Sequence, residues 1–585
     1  MPIETAEAAT GAPVRTLIDL FLEAQADTTA VQRFSRQHDP AFGDQPARAR
    51  WYRDLLPATP PGPGQQYAFS VDLDACTGCK ACVTACSSLN GLDDGETWRT
   101  VGLLIGTDTA GAAQPTREVG LAAAAQPTRE VGLAAAAQPT REVGLPAAAQ
   151  HVTTACHHCV DPGCLTGCPV DAYEKDPVTG VVVHLDDQCI GCRYCTLTCP
   201  YEVPQFDRSR GIVRKCDLCH GRLAAGEAPA CVQGCPTNAI SITIVDLEDV
   251  GSTGTEAWPF PAPDPATTRP TTRWTGSGDL ATTVASDRHV PRRVEAHTPL
   301  AIMLVLTQVA VGVSLFDLVL GRRLPVAWGS GATGAVLSLV VAAVALAASV
   351  FHLGRPLLAW RAVIGLRHSW LSREIVAFSS FAGLAGIDSA VRLGWLAVPS
   401  SVAASLPAAA LLAGICGVWS SVMIYAVTGR HWWRASWSTP RFGLTMLLGG
   451  AALATATVAV AVAGGNRDLA PSLRALAGVA VALVVAKLTV DLAVLAWRRR
   501  DDSELARSAR LLTGPLADAM RLRVAMAVFG SALVLAALIL AGRPETGAGA
   551  AAVVAAGALA VVGGELVERW LFFAASSPAR MPGQR

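Results

Sequence analysis

The chain has 585 residues, 51% of them hydrophobic, and its 47 basic side chains balance 47 acidic ones. Sixteen of the 17 cysteines lie between Cys76 and Cys235, while after Thr298 the chain is mostly Ala, Val, Leu and Gly broken by short Arg-rich stretches. One ordinary globular core is excluded, and the zero net charge averages two dissimilar halves: a soluble cysteine domain and a membrane domain.

From Met1 to about Ala30 the only apolar stretch, Leu17–Leu22, is short and interrupted by Asp19, with no basic region or twin arginine before it. No signal peptide is expected, so the first half should fold in the cytoplasm with its thiols unpaired and free to bind metal. Residues 1–65 read as a polar helical extension ending in a Pro/Gly stretch. The cysteine domain is expected over 66–246. Inside it the unit QPTREVGLAAAA starts at Gln114, recurs at Gln126, and returns at Gln138 with Pro146 in place of Ala. Three short copies with a proline in each suit neither a solenoid nor a long helix, so 114–149 is expected to be a duplicated surface loop. Residues 247–296, rich in Pro, Thr, Gly and Asp, read as a linker.

The cysteines stand in four groups: Cys76, Cys79, Cys82, Cys86; Cys156, Cys159, Cys164, Cys168; Cys189, Cys192, Cys195, Cys199; and Cys216, Cys219, Cys231, Cys235. The first and third follow C-x2-C-x2-C-x3-C, and the last three end in Cys-Pro. Close Cys-x2-Cys turns wrap three corners of a cubane iron–sulfur cluster, while the cysteine after x3 reaches across to a second cluster. Gly78, Gly163, Gly191 and Gly234 let the backbone approach the sulfides. Four thiolates also suit tetrahedral zinc, but zinc knuckles require neither the third closely spaced cysteine nor the x3-Cys-Pro ending. Sixteen ligands at four per cubane make four [4Fe-4S] clusters, paired in two modules if the crossing follows the two-cluster pattern.

The segments CHHCVDPGCLTGCPVDAYEKDPVTG, DDQCIGCRYCTLTCPYEVPQFD and GIVRKCDLCHGRLAAGEAPACVQGCPTNAI resemble the four-cluster electron-transfer subunit of the dimethyl sulfoxide reductase group of molybdoenzymes. The resemblance implies an α+β ferredoxin-like fold of two dicluster modules. One module would hold a cluster on Cys76, Cys79, Cys82 and Cys235 and another on Cys216, Cys219, Cys231 and Cys86. The other would use Cys156, Cys159, Cys164 and Cys199, then Cys189, Cys192, Cys195 and Cys168.

Eight apolar stretches follow, at 299–320, 333–353, 374–391, 406–427, 442–464, 476–497, 524–542 and 547–567. Each is near the roughly 20 residues a bilayer crossing needs, so the second half is expected to be an all-α polytopic domain of eight transmembrane helices. Tryptophans cluster at the segment ends, as an interfacial belt does. A haem b takes axial histidines from helices. Only His352 falls in a segment, so no haem is expected; a quinol, needing an apolar slot and proton acceptors, is the expected redox partner in the bilayer. Polar residues at membrane depth include His352, Glu374, the i,i+4 pair Lys487 and Asp491, and Glu565 and Glu568. Lys487 and Asp491 read first as a structural ion pair.

The segments EAHTPLAIMLVLTQVAVG, FHLGRPLLAWRA and SWLSREI and the stretch Tyr425–Arg430 resemble the eight-helix, haem-free anchor of the same reductase group. That resemblance implies menaquinol oxidation with His352 and Glu374 in the quinol site. The chain thus reads as electron-transfer and anchor subunits fused, with the anchor over 297–575. The expected partners are membrane lipid, quinone and a separate molybdopterin-containing catalytic subunit that reduces dimethyl sulfoxide, another S- or N-oxide, or nitrate; no nucleic acid is expected. The alternatives are reverse flow from a formate-type dehydrogenase into the quinone pool, and a zinc-stabilised membrane scaffold. Twenty basic residues flank the spans on the side of both termini and six on the other. This excess places the cluster domain and termini on the cytoplasmic face of the inner membrane.

Overall fold

The computed structural model describes residues 55–106, 149–250, 258, 262–276, 280, 283–288, 294–320, 331–500, 503–540 and 547–584. The expected N-terminal arm, up to residue 54, and the repeat, up to residue 148, lie outside them.

Among the described residues ten short strands frame the cysteine half: β1 (Gln65–Asp72), β2 (Thr100–Gly106), β3 (Ala149–Thr154), β4 (Tyr173–Lys175), β5 (Val182–His184), β6 (Gln205–Asp207), β7 (Ile212–Arg214), β8 (Ile240–Asp246), β9 (Arg273–Thr275) and β10 (Thr283–Ala285). Two pairings decide which cysteines meet. β1 runs antiparallel to β8 with Val71 opposite Ile240, so the chain entering at Cys76 and the chain leaving Cys235 emerge side by side. β4 runs antiparallel to β5 with Tyr173 opposite His184, which brings the residues after Cys168 beside those before Cys189. The first and fourth groups therefore share one end of the domain, and the second and third share another.

The stretch expected as a linker is not a spacer throughout. β9 pairs in parallel with β1, Val71 opposite Trp274, and β10 pairs antiparallel with β2, Val284 opposite Ile105. The Pro- and Thr-rich composition conceals two runs, Arg-Trp-Thr and Thr-Val-Ala, whose β-branched and aromatic side chains suit a pleated surface. Trp274 is buried, with its ring 4.9 Å from that of Trp258 and 5.7 Å from that of His157.

Among the described residues the second half holds eight helices long and apolar enough to cross a bilayer: Thr298–Leu320, Thr333–Val350, Trp370–Arg392, Ser400–Ala426, Ala435–Ala463, Arg467–Trp497, Ala517–Ala536 and Gly547–Ala574. In hydrocarbon a helix satisfies its own backbone groups, and small residues let helices approach closely. Spans one and five show this: a Cβ on Gly312 would sit 2.0 Å from the Met446 carbonyl oxygen. The helical bounds correct two placements. Span two ends at Val350, so His352 lies in the turn beyond it, and span three starts at Trp370, so Glu374 lies inside the helix.

Lys487 and Asp491 do pair, at 2.9 Å, but as part of a larger buried network. Glu568 lies 3.2 Å from Lys487 and 3.3 Å from Arg441. Arg523 reaches Asp491 at 3.2 Å and Glu565 at 2.5 Å. Arg569 lies 3.5 Å from Glu568 and 3.1 Å from the Gln308 side chain. A lone charge at bilayer depth costs about 2.5–3.5 kcal/mol on insertion scales, so opposite charges on four spans meet. Arg441, Arg523 and Arg569 thus belong to the bundle interior rather than to loops, which leaves the basic excess at seventeen to six.

The two halves dock through backbone. The turn after span two seats Gly354 against the third cysteine loop, its N–H donating to the Gly191 carbonyl at 3.2 Å. Arg355 N–H donates to Ile190, and Gly365 N–H to Pro169. Ser369 Oγ donates to the Gly167 carbonyl at 2.7 Å, and Arg355 Nη1 to the Asp186 carbonyl at 2.8 Å. After span eight the chain returns to the cluster half, burying Met581 in its core and pairing Arg580 with Glu202 at 3.3 Å.

Candidate functional site

Burial pushes Cys76 up, and the neighbouring Cys235 and Cys79 add to it. Burial raises Cys86 to about 12, with Cys231 and Cys219 the thiols beside it. Cys199 goes to about 12 by burial and the proximity of Cys156, and Cys168 to about 11 by burial with Cys189 alongside. The last cysteine of each group thus stands among thiols of a different group. Burial likewise raises Cys216, whose neighbouring thiols include Cys156, Cys86 and Cys231, so the two cysteine modules adjoin there.

The donor set suits an anionic iron–sulfur group. Backbone N–H groups point at sulfur: Ala172 to Cys168 at 3.2 Å, Ala239 to Cys235 at 3.3 Å, and Gly191 to Cys189 at 3.4 Å. Gly191 has φ +69°, and a Cβ there would lie 2.3 Å from the Gly211 carbonyl oxygen. Arg99 is 2% exposed, yet its Nε and Nη2 find no hydrogen-bond acceptor among the described residues. A buried cation in that condition calls for an anion beside it.

A cavity of about 270 Å³ lies where the cluster half meets the bundle. Cys192, Arg193, Tyr194 and Leu197 form one wall. His297, His352, Glu374 and Tyr425 come from the membrane half, with apolar walls that include Leu346, Phe378 and Ile424. The start of span one, the end of span two, the start of span three and the end of span four meet here, because alternating helices return every such end to the same face.

His352 Nε2 lies 3.1 Å from the Cys192 carbonyl oxygen, 160 residues away in the chain. A carbonyl only accepts, so Nε2 carries the proton and Nδ1 keeps its lone pair. Burial first, then His297 and Arg193, lowers the His352 imidazole to about 4. Its ring packs edge-on to His297, centroids 4.9 Å apart. Glu374, 2% exposed, accepts a hydrogen bond from Ser421 Oγ. Tyr194 OH donates to the Ile424 carbonyl at 2.9 Å.

His352 and Glu374, the two residues expected at a quinol site, therefore line one cavity. Lys487, Asp491, Glu565 and Glu568 are not among its lining residues. His297, Tyr194, Ser421 and Tyr425 went unassigned individually from sequence. The available signal was position: His297 stands directly before span one, Tyr425 at the end of span four, and Tyr194 between two cysteines.

Two family models match the sequence: a 4Fe-4S dicluster domain over residues 147–245 and the DMSO reductase anchor subunit (DmsC) over residues 295–575. One polypeptide of the anaerobic dimethyl sulfoxide reductase of Haemophilus influenzae is 31% identical over 206 residues, 35% of this chain and 87% of that one. Hydrogenase-2 operon protein HybA of Escherichia coli O157:H7 is 34% identical over 200 residues, 31% of this chain and 52% of that one. Formate dehydrogenase-O iron-sulfur subunit of Escherichia coli K12 is 35% identical over 176 residues, 30% of this chain and 52% of that one.

Proposed function

Because this protein belongs to the dimethyl sulfoxide reductase family, joining the iron–sulfur and anchor subunits in one polypeptide, we propose that it oxidises a quinol in the bilayer and passes the electrons to a separate molybdopterin-containing reductase. The observation that carries this reading is the shared cavity: a buried carboxylate, an imidazole with a free lone pair, and the backbone of Cys192 border one apolar space. Val350 and Ser379 line that space and are also exposed on the outside of spans two and three, where lipid would lie. A quinol ring can enter there with its tail in the bilayer.

Oxidation removes two protons and two electrons from the quinol. His352 Nδ1 accepts a hydrogen bond from one hydroxyl, and Glu374, its carboxylate held by Ser421, takes the two hydroxyl protons in turn, releasing the first to water before it takes the second. Bound iron–sulfur clusters supply single-electron acceptors. We assign four of them, on Cys76, Cys79, Cys82 and Cys235; on Cys216, Cys219, Cys231 and Cys86; on Cys156, Cys159, Cys164 and Cys199; and on Cys189, Cys192, Cys195 and Cys168. The reading uses no haem. The test is reduction by a menaquinol analogue: bleaching of the iron–sulfur absorbance is expected, and protein that dithionite bleaches but quinol does not would overturn it.

The ligand sets make a sharp prediction. Cys86→Ser is expected to alter the spectrum of the cluster on Cys216, Cys219 and Cys231 and to spare the one on Cys76, Cys79 and Cys82. Electron paramagnetic resonance of Cys86→Ser beside Cys219→Ser reads this out; loss confined to the first group's cluster rejects the crossing.

The basic excess supports a cytoplasmic cluster domain. Quinol protons would then leave on the cytoplasmic side, and this half-reaction would build no proton gradient. Cysteines placed in the loop between spans three and four should react with an impermeant thiol reagent from the periplasm, and those between spans six and seven should not. The opposite pattern reverses the assignment.

The hydrogenase and formate dehydrogenase relatives favour a second reading, in which electrons enter from an oxidising partner and leave to quinone. The co-purifying large subunit distinguishes the two. Either direction uses the same cavity.

A further inference from the structure

We propose that Lys215 and Arg99 are electrostatic bridges of the electron relay, each standing between the thiols of two adjacent clusters and raising the potential of both. The inference rests on the ligand sets assigned above.

Lys215 is 2% exposed and ends β7's continuation into the fourth cysteine group. Its Nζ lies 3.9 Å from Cys156 Sγ and donates to the Cys216 carbonyl at 2.8 Å. A further bond to the Val182 carbonyl holds it there. The ammonium therefore stands between one ligand of the Cys156 cluster and one of the Cys216 cluster, at the junction of the two modules.

Arg99 occupies a corresponding position inside the module of groups one and four. Its Nη1 donates to Thr153 Oγ1 at 3.2 Å, and that hydroxyl lies 3.7 Å from Cys82 Sγ. The guanidinium packs over the Phe69 ring at 4.5 Å, which fixes its plane. Nε and Nη2 are left without an acceptor among the described residues. The thiols around it are Cys82 of the first cluster and Cys86, Cys216 and Cys231 of the next. Among the ion pairs of the described residues, neither Arg99 nor Lys215 is matched to a carboxylate. A buried cation without a carboxylate partner is costly unless another anion lies beside it, and a thiolate-ligated cluster is such an anion.

The consequence for electron transfer follows from charge. A cluster gains one negative charge on reduction, and a fixed positive charge in a low-dielectric setting stabilises the reduced form more than the oxidised one. Each cation therefore makes two neighbouring clusters easier to reduce. The cluster on Cys216, Cys219, Cys231 and Cys86 borders both cations and gains from both.

The test is a redox titration of the whole protein in membranes, followed by electron paramagnetic resonance, with iron content measured alongside. Lys215→Met and Lys215→Gln remove the charge, one keeping the length and the other a hydrogen-bond donor. Arg99→Leu and Arg99→Gln do the same at the second position. Each set is expected to move two of the four cluster signals to lower potential, with one signal moved by both sets and by the larger amount in the double variant. Full iron with no shift, or an equal shift of all four signals, overturns the proposal. Loss of iron in both neutral variants at a position overturns it there in favour of a structural role. Wild-type protein with fewer than four clusters would fail the ligand assignment instead, before any variant is compared.

Discussion

Glu374→Gln is expected to abolish quinol-driven reduction of the clusters while leaving their iron content and their reduction by dithionite at wild-type levels. The amide keeps the size and the bond to Ser421 Oγ but cannot take a proton. Glu374 is 2% exposed and lines the cavity, so water offers little substitute. A positioned proton acceptor is worth about 10²–10⁴-fold in rate, and a drop of that order is the expected reading in stopped-flow measurements with a menaquinol analogue. His352→Ala removes a hydrogen bond to the quinol and is expected to raise KM more than it lowers kcat. Wild-type rates in both variants would place quinol oxidation elsewhere, with the Lys487–Asp491–Glu565–Glu568 network the next place to look.

The second large effect is expected from a residue with no chemistry of its own. Gly354→Val should uncouple the two halves. A Cβ at Gly354 would sit 2.0 Å from the Gly211 carbonyl oxygen and 2.6 Å from its carbon. Backbone meets backbone here, so no side chain can swing aside, and the cluster half must move away from the bundle. That motion breaks the Gly354 N–H bond to Gly191 and opens the cavity wall made by Cys192 and Tyr194. A displacement of about 1 Å can cost about 10²-fold in a reaction that depends on position. Quinol-driven reduction should fall by that order with clusters intact, as with Glu374→Gln. Unlike that variant, Gly354→Val should also make the docked loop, residues 351–369, cleavable by added protease. Gly383→Ala is the control: on span three a Cβ there meets nothing within 4 Å, and no change is expected. Unaltered coupling in Gly354→Val would show that the docking face tolerates separation.

The buried ion network bears on stability rather than on the cavity. Seven charged side chains, Arg441, Lys487, Asp491, Arg523, Glu565, Glu568 and Arg569, lie together among spans five to eight, each buried. Removing one member of such a set leaves its partners uncompensated, and a buried pair broken on one side costs about 3–5 kcal/mol. Its members lie on four spans, so the sequence paired Lys487 with Asp491 but left Glu565 and Glu568 without partners.

Cysteine spacing and the lengths of the apolar runs determined the two-part architecture by themselves. A Cys-x2-Cys turn has its geometry in a few adjacent residues, and a span announces itself by length and composition. The segments around Cys156–Cys235 and around His352 and Glu374 carried the family likeness for the same reason: they are local strings. Other features depend on residues distant in the chain. Which cysteine groups become neighbours follows from β1 pairing with β8 and β4 with β5, and a register of backbone hydrogen bonds leaves little trace in composition. Two strands hid in a stretch that read as linker, because three-residue runs gain their order only from the sheet edge they complete. The cavity is the clearest case. His352 meets the Cys192 carbonyl only after eight helices stack and a soluble domain docks on their ends, so its walls are set by packing between halves that share no local sequence signal.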